Sequence, residues 1–405
     1  MTTGAFDNPM QLLQLDRSSS VAFFSLGAPV GSHGNWSVRA AMNQTDLNSW
    51  MLAANYAVQA AVAHRYRVGM SYSLQRYDET NAAALAALPL AERSVGSLYG
   101  YDDWAVSRAL TLGYGASYAR YDYLSGSALF SPRLSATIAA TPHLKIRASA
   151  WRQLSAPGAD EFLPPTTSEY LPPQRTFSPV AGAGFTPERV EHYEVGIDRV
   201  MGGATFGIRA FHQRIGDQIV TVFGLRQPEA AATVLGHYFV GSAGDADLTG
   251  LGLTVSRAFW PNLRGSLDYS FVDANWDERM RPNSYAVLTA AVPASARAAR
   301  ELIHDVTSTL QAEVPQSATR VVLIYRVSNG FINGDGVGDR PGVDGRFDLQ
   351  VNQALPFMNF SSSQWEMLVA VRSLFHDTQS NASAYDELLV VRPPKRIVGG
   401  LTVRF

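Results

Sequence analysis

The feature that most constrains this chain is an alternation of apolar and polar residues, repeated in segments of about ten residues. Clear examples are residues 66–75 (YRVGMSYSLQ), 144–150 (LKIRASA) and 401–405 (LTVRF). Because successive side chains of a β-strand point to opposite faces, this period predicts strands with one apolar and one polar face. A half-buried sheet in a soluble sandwich shows the same period, so the alternation alone leaves both architectures open.

The lengths of the connections separate these two architectures. We predict strands at about 18–27, 33–43, 48–61, 64–77, 95–107, 109–122, 129–141, 144–155, 188–200, 203–216, 248–259, 262–272, 302–314, 318–328, 344–355, 365–375 and 396–405. Tight connections, such as 141–143 and 200–202, alternate with long ones, such as 156–187 and 273–301. Short turns at one rim and long loops at the other are typical of an antiparallel transmembrane β-barrel, with periplasmic turns and extracellular loops. The predicted fold is therefore an all-β barrel of about 17 or 18 strands, the eighteenth coming from residues 1–17.

Composition excludes several other classes of protein. Charged residues make up 17% of the 405 residues and cysteine is absent, which excludes disulfide scaffolds, cysteine-based zinc sites and iron–sulfur clusters. No run of about 18 apolar residues indicates a transmembrane helix. The net charge of −2 without a basic block gives no electrostatic basis for binding nucleic acid.

Four segments lie between the 17 predicted strands and have patterns of their own. Residues 81–92 and 293–301 are rich in alanine and are predicted to form short helices in exterior loops. Residues 218–224 and 233–241 are predicted to form an additional hairpin above the barrel.

Residues 131–405 contain a series of short motifs. They are SPRL at 131–134, LKIRASAWRQL at 144–154, TPE at 186–188, HYEVGI at 192–197, FHQRIGDQI at 211–219, SLFHD at 373–377 and GGLTVRF at 399–405. Together these motifs resemble those of TonB-dependent outer-membrane receptors. Their order and spacing over about 130–405 are those of the C-terminal part of the receptor barrel. In the last motif, the alternating Leu401, Val403 and Phe405 resemble the barrel-assembly signal of outer-membrane proteins.

The resemblance implies a location in the cell outer membrane and a role in binding and uptake of a small solute. It implies contact with outer-membrane lipid and the barrel-assembly machinery, no cofactor and no enzymatic activity. Neither the family's N-terminal plug nor its TonB box is found, and the family's barrels have about 22 strands. We therefore expect residues 1–405 to form one barrel domain that lacks the plug and the first few strands. The TonB complex would be a partner only where a plug is supplied. The alternatives are a plugless passive pore, a non-functional truncated receptor and, more remotely, an outer-membrane hydrolase.

Charged residues in the strands are the main candidates for a site. The alternation predicts lumen-facing side chains that either guide a solute or form ion pairs with one another: Arg147, Arg152, Glu194, Arg209 and Arg372. Asp335, Asp339 and Asp344 lie in a Gly-rich loop and are candidates for a calcium site, although their spacing does not fit an EF-hand. A hydrolase would need a serine beside His212 or His304.

Overall fold

The structure of the protein is a computed structural model. It describes residues 20–44, 47–58, 63–77, 92–124, 128–163, 175–180, 184–224, 237–277, 282–332, 344–355, 364–375 and 383–404.

The described residues contain one large sheet, the wall, in which each of 17 strands pairs antiparallel with the next along the chain. Its strands are β1 (Ser20–Val30), β2 (Gly34–Gln44), β3 (Leu47–Val58), β4 (His64–Tyr77), β5 (Glu92–Ala105), β6 (Leu110–Tyr121), β7 (Ala128–Thr141), β8 (Leu144–Ser155), β10 (Glu188–Met201), β11 (Ala204–Gly216), β14 (Ala246–Trp260), β15 (Leu263–Trp276), β16 (Arg300–Val314), β17 (Thr319–Ser328), β18 (Asp344–Ala354), β19 (Gln364–Arg372) and β21 (Arg396–Arg404). The predicted fold class is confirmed, and every predicted strand overlaps an observed one. Within the described residues, β1 and β21 are not paired with each other.

The connections are sorted between the two rims, as the sequence predicts. One rim carries the connections 31–33, 59–63, 106–109, 142–143, 202–203, 261–262, 315–318 and 355–363. The opposite rim, which we call the loop rim, carries 45–46, 78–91, 122–127, 156–187, 217–245, 277–299, 329–343 and 373–395. Most of the described residues outside the wall therefore lie at one end of the sheet.

Cross-strand register divides the wall side chains into two rows. The outward row is largely apolar in its middle, where Val195, Leu251 and Leu253 are at least half exposed. The inward row carries Arg209, Asp268 and other polar side chains. Because a strand alternates with period two, the register keeps each row on its own side of the wall. The register shifts only at Ala258/Trp260 and Ala139/Thr141 among the described wall pairings, in both cases near a strand end.

The loop rim is covered by a second, smaller sheet, which with its surrounding turns we call the cap. Its strands are β9 (Phe177–Pro179), β12 (Ile219–Phe223), β13 (Tyr238–Ser242) and β20 (Val390–Val391), in the order β20-β12-β13-β9. The cap also includes helix α1 (Asn283–Ala291) and the 3-10 turns Ala159–Phe162, Pro293–Ser295 and Glu387–Leu389. The predicted hairpin of residues 218–224 and 233–241 corresponds to β12 and β13, which pair antiparallel.

The helix prediction for residues 293–301 is wrong. The α-helix lies earlier, at Asn283–Ala291, and the predicted segment begins with the 3-10 turn Pro293–Ser295 and ends in β16. Proline has no backbone N–H and disfavours helical geometry in the residue before it, so Pro282 and Pro293 bracket the helix. The other predicted helix, residues 81–92, lies outside the described residues apart from Glu92, which begins β5.

A hydrophobic core joins the cap to the inward row of the wall. Its fully buried members include Leu248, Leu288, Tyr385, Leu388 and Leu389. Inward side chains of β5 and of β18 both bond to the cap, although nine other wall strands lie between those two strands. The wall therefore curves around the cap. No helix in the described part of the chain is long and apolar enough to cross a membrane.

Candidate functional site

The inner wall below the cap carries a group of ion-paired side chains on neighbouring strands. Nη2 of Arg147, on β8, lies 2.8 Å from Oδ1 of Asp198 on β10. Nε of Arg209, on β11, lies 3.7 Å from Oε2 of Glu194 on β10. Opposite charges on adjacent strands attract each other across the sheet, so these contacts support the pairing of β8, β10 and β11.

Arg209 makes more side-chain hydrogen bonds than Arg147 does. Its guanidinium donates to both carboxylate oxygens of Asp268, at 2.6 and 2.9 Å, and to the Ser270 hydroxyl at 2.9 Å. This two-bond fork fixes the plane of the guanidinium as well as its position. At Gly252, on the next strand, an added Cβ would lie 2.6 Å from Cζ of Arg209, so the side chain needs a glycine there. Arg209 keeps 26% of its side chain exposed and therefore still faces the lumen.

An aromatic strip lies nearer the cap on the same strands, one inward position beyond Glu194 and Arg209 and two beyond Arg147. The rings of Trp151 and His192 stack with centroids 4.7 Å apart, and His192 stacks on Phe211 at 5.6 Å. Phe211 lies over Gly250, where an added Cβ would come within 2.3 Å of the ring. The strip and the charged group together make an inner surface with flat apolar faces beside fixed charges.

Two buried arginines anchor the cap to the wall. Arg93, on β5, is completely buried; it donates to the Phe177 carbonyl at 2.9 Å and its guanidinium lies 4.2 Å from the ring centroid of that residue. Beside it, Nε2 of Gln75 donates to the Glu161 carbonyl at 2.8 Å. A buried cation over an aromatic face is stabilised by the ring quadrupole, and more strongly when water is excluded.

The second anchor is Arg346 on β18. It donates to Oε1 of Glu387 at 2.6 Å, to the Glu387 carbonyl at 3.1 Å and to the Val390 carbonyl at 2.7 Å. The carboxylate of Glu387 also accepts a bond from the backbone N–H of Phe375. Both charged side chains are at most 7% exposed. This anchor therefore ties β18 directly to the 3-10 turn and strand that complete one edge of the cap.

Ionisable groups inside the cap have shifted pKa values. Burial raises the pKa of Glu161, against the opposing effect of Arg175, whose Nε lies 2.6 Å from Oε1 of Glu161. Burial lowers the pKa of His237 to about 4, and the nearby charge of Arg93 acts in the same direction. His237 is therefore neutral at neutral pH, with Nδ1 2.6 Å from the Thr176 hydroxyl.

The structure places four of the five lumen candidates on the inward row and one on the outward row. Arg147, Glu194 and Arg209 lie together in the charged group described above, whereas Arg372 lies on β19 and donates to Gln350 at 3.1 Å. Arg152 is a correction to the sequence-based expectation: it pairs with Glu191 on the outward row. Arg152 lies five positions after Arg147 on β8, and residues an odd number of positions apart point to opposite faces of a regular strand.

The remaining candidates are only partly covered by the structure. The side chain of Leu401 is on the outward row and 54% exposed, whereas the Val403 side chain and Phe405 lie outside what the structure describes. Asp335 and Asp339 also lie outside the described residues, and Asp344 accepts a bond from the N–H of Gly345. No group of three or more metal-binding side chains occurs in the described ranges.

The two histidines considered for a hydrolase lie on the outward row. Nδ1 of His212 is 3.3 Å from the Thr249 hydroxyl, and Nδ1 of His304 is 2.8 Å from the Tyr269 hydroxyl.

Sequence reasoning missed Asp198, Asp268 and His192 as parts of the inner wall. The pattern that could have identified them is the strand period combined with the tight turn at 202–203, which sets Glu194 opposite Phe211 and His192 opposite Gln213. Counting outward from such a turn assigns each polar residue to a row and to a neighbour.

Comparison with known proteins gives one family match and several structural likenesses. The family model described as TonB dependent receptor-like, beta-barrel, matches residues 7–299. No curated protein matches the chain. The siderophore receptor PirA from Pseudomonas aeruginosa is 13% identical, with 96% of this chain and 65% of that chain covered and a TM-score of 0.46. The FrpB iron transporter from Neisseria meningitidis is 14% identical, with 88% and 58% covered and a TM-score of 0.43. The chain thus spans less than two thirds of the length of these structures.

Proposed function

Because the chain belongs to the family of TonB-dependent receptor-like β-barrels, we propose that it spans the outer membrane and takes part in the binding and uptake of a solute. Receptors of this family are transporters and not enzymes. The proposal further assigns the cap and the inner wall to the solute, the outward row to lipid, and the last strand, including Leu401, to recognition by the barrel-assembly machinery.

The observation that carries the membrane assignment is the height of the apolar band on the outward row. On β14 the outward residues from Asp247 to Arg257 are charged at the two ends and include Leu251, Leu253 and Val255 between them. Ten residue steps of about 3.4 Å on a strand tilted by about 45° span about 24 Å. Transmembrane barrels carry an outward apolar band about 25 Å tall. On β14, the two charged ends of the outward row are therefore separated by about the height of such a band.

The presence of the cap favours the receptor hypothesis over the hypothesis of a passive open pore. It is held at the loop rim by Arg93 on one side and Arg346 on the other, and its core is continuous with that of the wall. A solute approaching from the loop rim meets the cap first, and the fork of Arg209 and Asp268 lies beyond it. We assign capture of the solute to the loop-rim connections at about 156–187, 216–247, 273–301 and 329–343, of which the first three contribute to the cap.

Conductance of the reconstituted protein tests this proposal. The wild-type protein, refolded in detergent and inserted in a planar bilayer, should show low conductance because the cap closes the mouth. A double variant, Arg93→Met with Arg346→Met, should conduct several-fold more, while the matched inner-wall variant Arg372→Met should behave like the wild type.

Two results would refute the proposal. One is a protein that stays soluble without detergent and is found away from the outer membrane on cell fractionation. The other is a wild-type conductance already as high as that of the double variant, which would favour the passive pore.

A further inference from the structure

Charged side chains on the inward row are divided unequally between two parts of the wall. On strands β1 to β8, Asp103 is the single acidic residue among the described inward side chains, whereas the basic ones include Arg65, Arg67, Arg133, Lys145 and Arg147. On the wall strands β10 to β21, the acidic residues of the inward row outnumber the basic ones. We call the inward row of β1 to β8 the positive side of the lumen.

Arg65 and Arg67 are neighbours on the positive side. They lie two positions apart on β4, which separates their Cα atoms by about 7 Å. The guanidinium carbon of Arg67 lies 5.4 Å from the ring centroid of Tyr101, and the rings of Tyr101 and Tyr99 stack at 5.9 Å. At Gly69, an added Cβ would be 2.6 Å from Cζ of Tyr99, so the missing side chain lets this ring lie against the wall. Both arginines are exposed and therefore face the lumen beside a flat aromatic surface.

Arg133 extends the positive side toward β8. A line of cross-strand partners runs from Arg67 through Tyr101 and Gly115 to Arg133, which is also exposed. Three strand spacings of about 4.8 Å place the two ends of this line about 14 Å apart. The next partner on the line is Trp151, where the aromatic strip begins. Cationic and aromatic side chains therefore follow one another along the wall.

Carboxylates do not neutralise these three arginines. Among the residues that the structure describes, no carboxylate oxygen lies within 4.0 Å of the side-chain nitrogens of Arg65, Arg67 or Arg133. Asp103 is the cross-strand partner of Arg65, and its neighbour Asp102 points to the outward row. Three guanidinium groups against one carboxylate leave this surface with a net positive charge.

The cap is distant from this surface. Gln75, whose side chain bonds to the cap, lies eight positions after Arg67 on β4, which corresponds to about 27 Å along the strand. The buried carboxylate of Glu161 is on the cap side of that gap and has Arg175 as its partner. A solute that has passed the cap therefore meets the positive side as a separate surface further along the lumen.

We infer that Arg65, Arg67 and Arg133 bind and guide an anionic solute, so that the solute class of the proposed uptake is an anion. Between low-dielectric walls, the field of fixed charges is focused into the water and raises the local concentration of ions of opposite sign. Guanidinium forks also match carboxylate and phosphate oxygens with paired hydrogen bonds. A neutral solute gains nothing from these charges. The inference rests on the proposed function, since a charged lumen selects a solute only where a solute passes through it.

Reactivity of a single introduced thiol tests the inference, because the chain contains no cysteine. Ala57→Cys places a thiol on the inward row of β3, directly opposite Arg67. The matched reporter Thr309→Cys, on β16, has the uncharged inward partners Ser266 and Ile324. The full chain in detergent, at about 20 mM salt, is treated with anionic methanethiosulfonate ethylsulfonate and with cationic methanethiosulfonate ethyltrimethylammonium. The ratio of the anionic to the cationic rate should be at least about five times higher at position 57 than at position 309.

Charge variants in the Ala57→Cys background identify the source of this ratio. Arg65→Gln with Arg67→Gln should lower it to within about twofold of the value at position 309, whereas the corresponding double lysine variant should keep it. The control Arg320→Gln with Arg372→Gln removes two inward arginines of β17 and β19 and should leave it unchanged. Equal ratios at the two positions, no effect of the glutamine pair, an equal effect of the control pair, or no reaction of the thiol at position 57 with either reagent would each overturn the inference.

Ion selectivity shows whether the same surface acts on ions that pass through the lumen. In a potassium chloride gradient across a planar bilayer, the cap-opened variant Arg93→Met with Arg346→Met should favour chloride over potassium by at least about threefold. Adding Arg65→Gln, Arg67→Gln and Arg133→Gln should bring this permeability ratio close to one. A ratio at or below one before those changes overturns the inference. Failure of the protein to insert refutes the proposed function instead, and the thiol rates in detergent then decide the anion binding by themselves.

Discussion

Replacing Arg346 by methionine should release one side of the cap while leaving the wall folded. The substitution removes three hydrogen bonds, to Glu387 and Val390, and leaves the Glu387 carboxylate buried at 2% exposure. Breaking a buried ion pair by removing one partner costs about 3 to 5 kcal/mol. The N–H of Phe375 still bonds to that carboxylate, so we expect the lower end, about 3 kcal/mol.

Hydrogen exchange of backbone amides measures this loss locally. The cap amides of Val390 and Val391 should exchange about 150-fold faster, the factor that corresponds to about 3 kcal/mol of easier local opening. Wall amides on β19, such as that of Val369, should keep their protection because the anchor does not belong to the wall pairing. The anchor is near the cap edge, so its loss opens the cap before it affects the sheet.

Two further variants make the test specific. Arg372→Met removes an exposed inward arginine on the neighbouring strand and should change cap exchange by less than about 0.5 kcal/mol. Arg346→Met combined with Glu387→Leu removes both charges and should recover part of the lost protection. The reasoning is refuted if the single Arg346→Met variant leaves the exchange of Val390 unchanged, or if Arg372→Met accelerates it as much.

Three other predictions follow from the wall and the cap. Leu253→Arg, in the middle of the outward band, should destabilise the lipid-folded protein by about 2 to 4 kcal/mol, and Thr249→Arg, near its edge, by about 0 to 1; equal losses in denaturant titrations would contradict the membrane assignment. Arg209→Lys should lose the two-bond fork to Asp268 and cost about 1 to 2 kcal/mol in the same titrations, and no loss would show that the fork is not structural. The closed cap holds the pKa of His237 at about 4, whereas its ordinary value is 6.5, so the opened cap binds a proton at a higher pH than the closed cap does. The free energy of cap opening should therefore fall by up to about 3 kcal/mol between pH 6.5 and pH 4. A His237→Asn variant with an equally steep decline would exclude His237 as the cause.

The wall could be predicted from the sequence because its structure is local. Each strand pairs with its neighbour along the chain, and the period of two assigns every residue to a row. The one misplaced lumen candidate, Arg152, follows from the same rule applied strictly, since its row differs from that of Arg147. Predicting which inward residues bond to one another needs, in addition, the register, which the tight turns fix.

The cap could be predicted only in part. The β12–β13 hairpin is local and has a strand-turn-strand pattern, so it was identified. The parallel pairings of β9 with β13 and of β12 with β20 join segments far apart in the chain. In addition, β9 has three residues and β20 has two, which is too short for an apolar–polar alternation to be recognised. The sequence does not identify Arg93 and Arg346 as anchors. Their burial depends on the cap segments that pack over them, and the local strand pattern of a buried arginine is the same as that of a solvent-exposed one.

The long-range pairing of β12 with β20 has a consequence for the order of assembly. Wall hairpins form between neighbouring segments, but Thr221 meets Val390 only after a separation of about 170 residues is closed, and such distant contacts form slowly. The loop-rim end of the wall should therefore stay uncovered on this side until the 373–395 connection, which contains β20, packs against β12. A chain that ends before residue 390 would form a curved sheet whose apolar inner surface near the loop rim is still exposed to water. We expect a chaperone to bind this intermediate most strongly, because it exposes the most apolar surface.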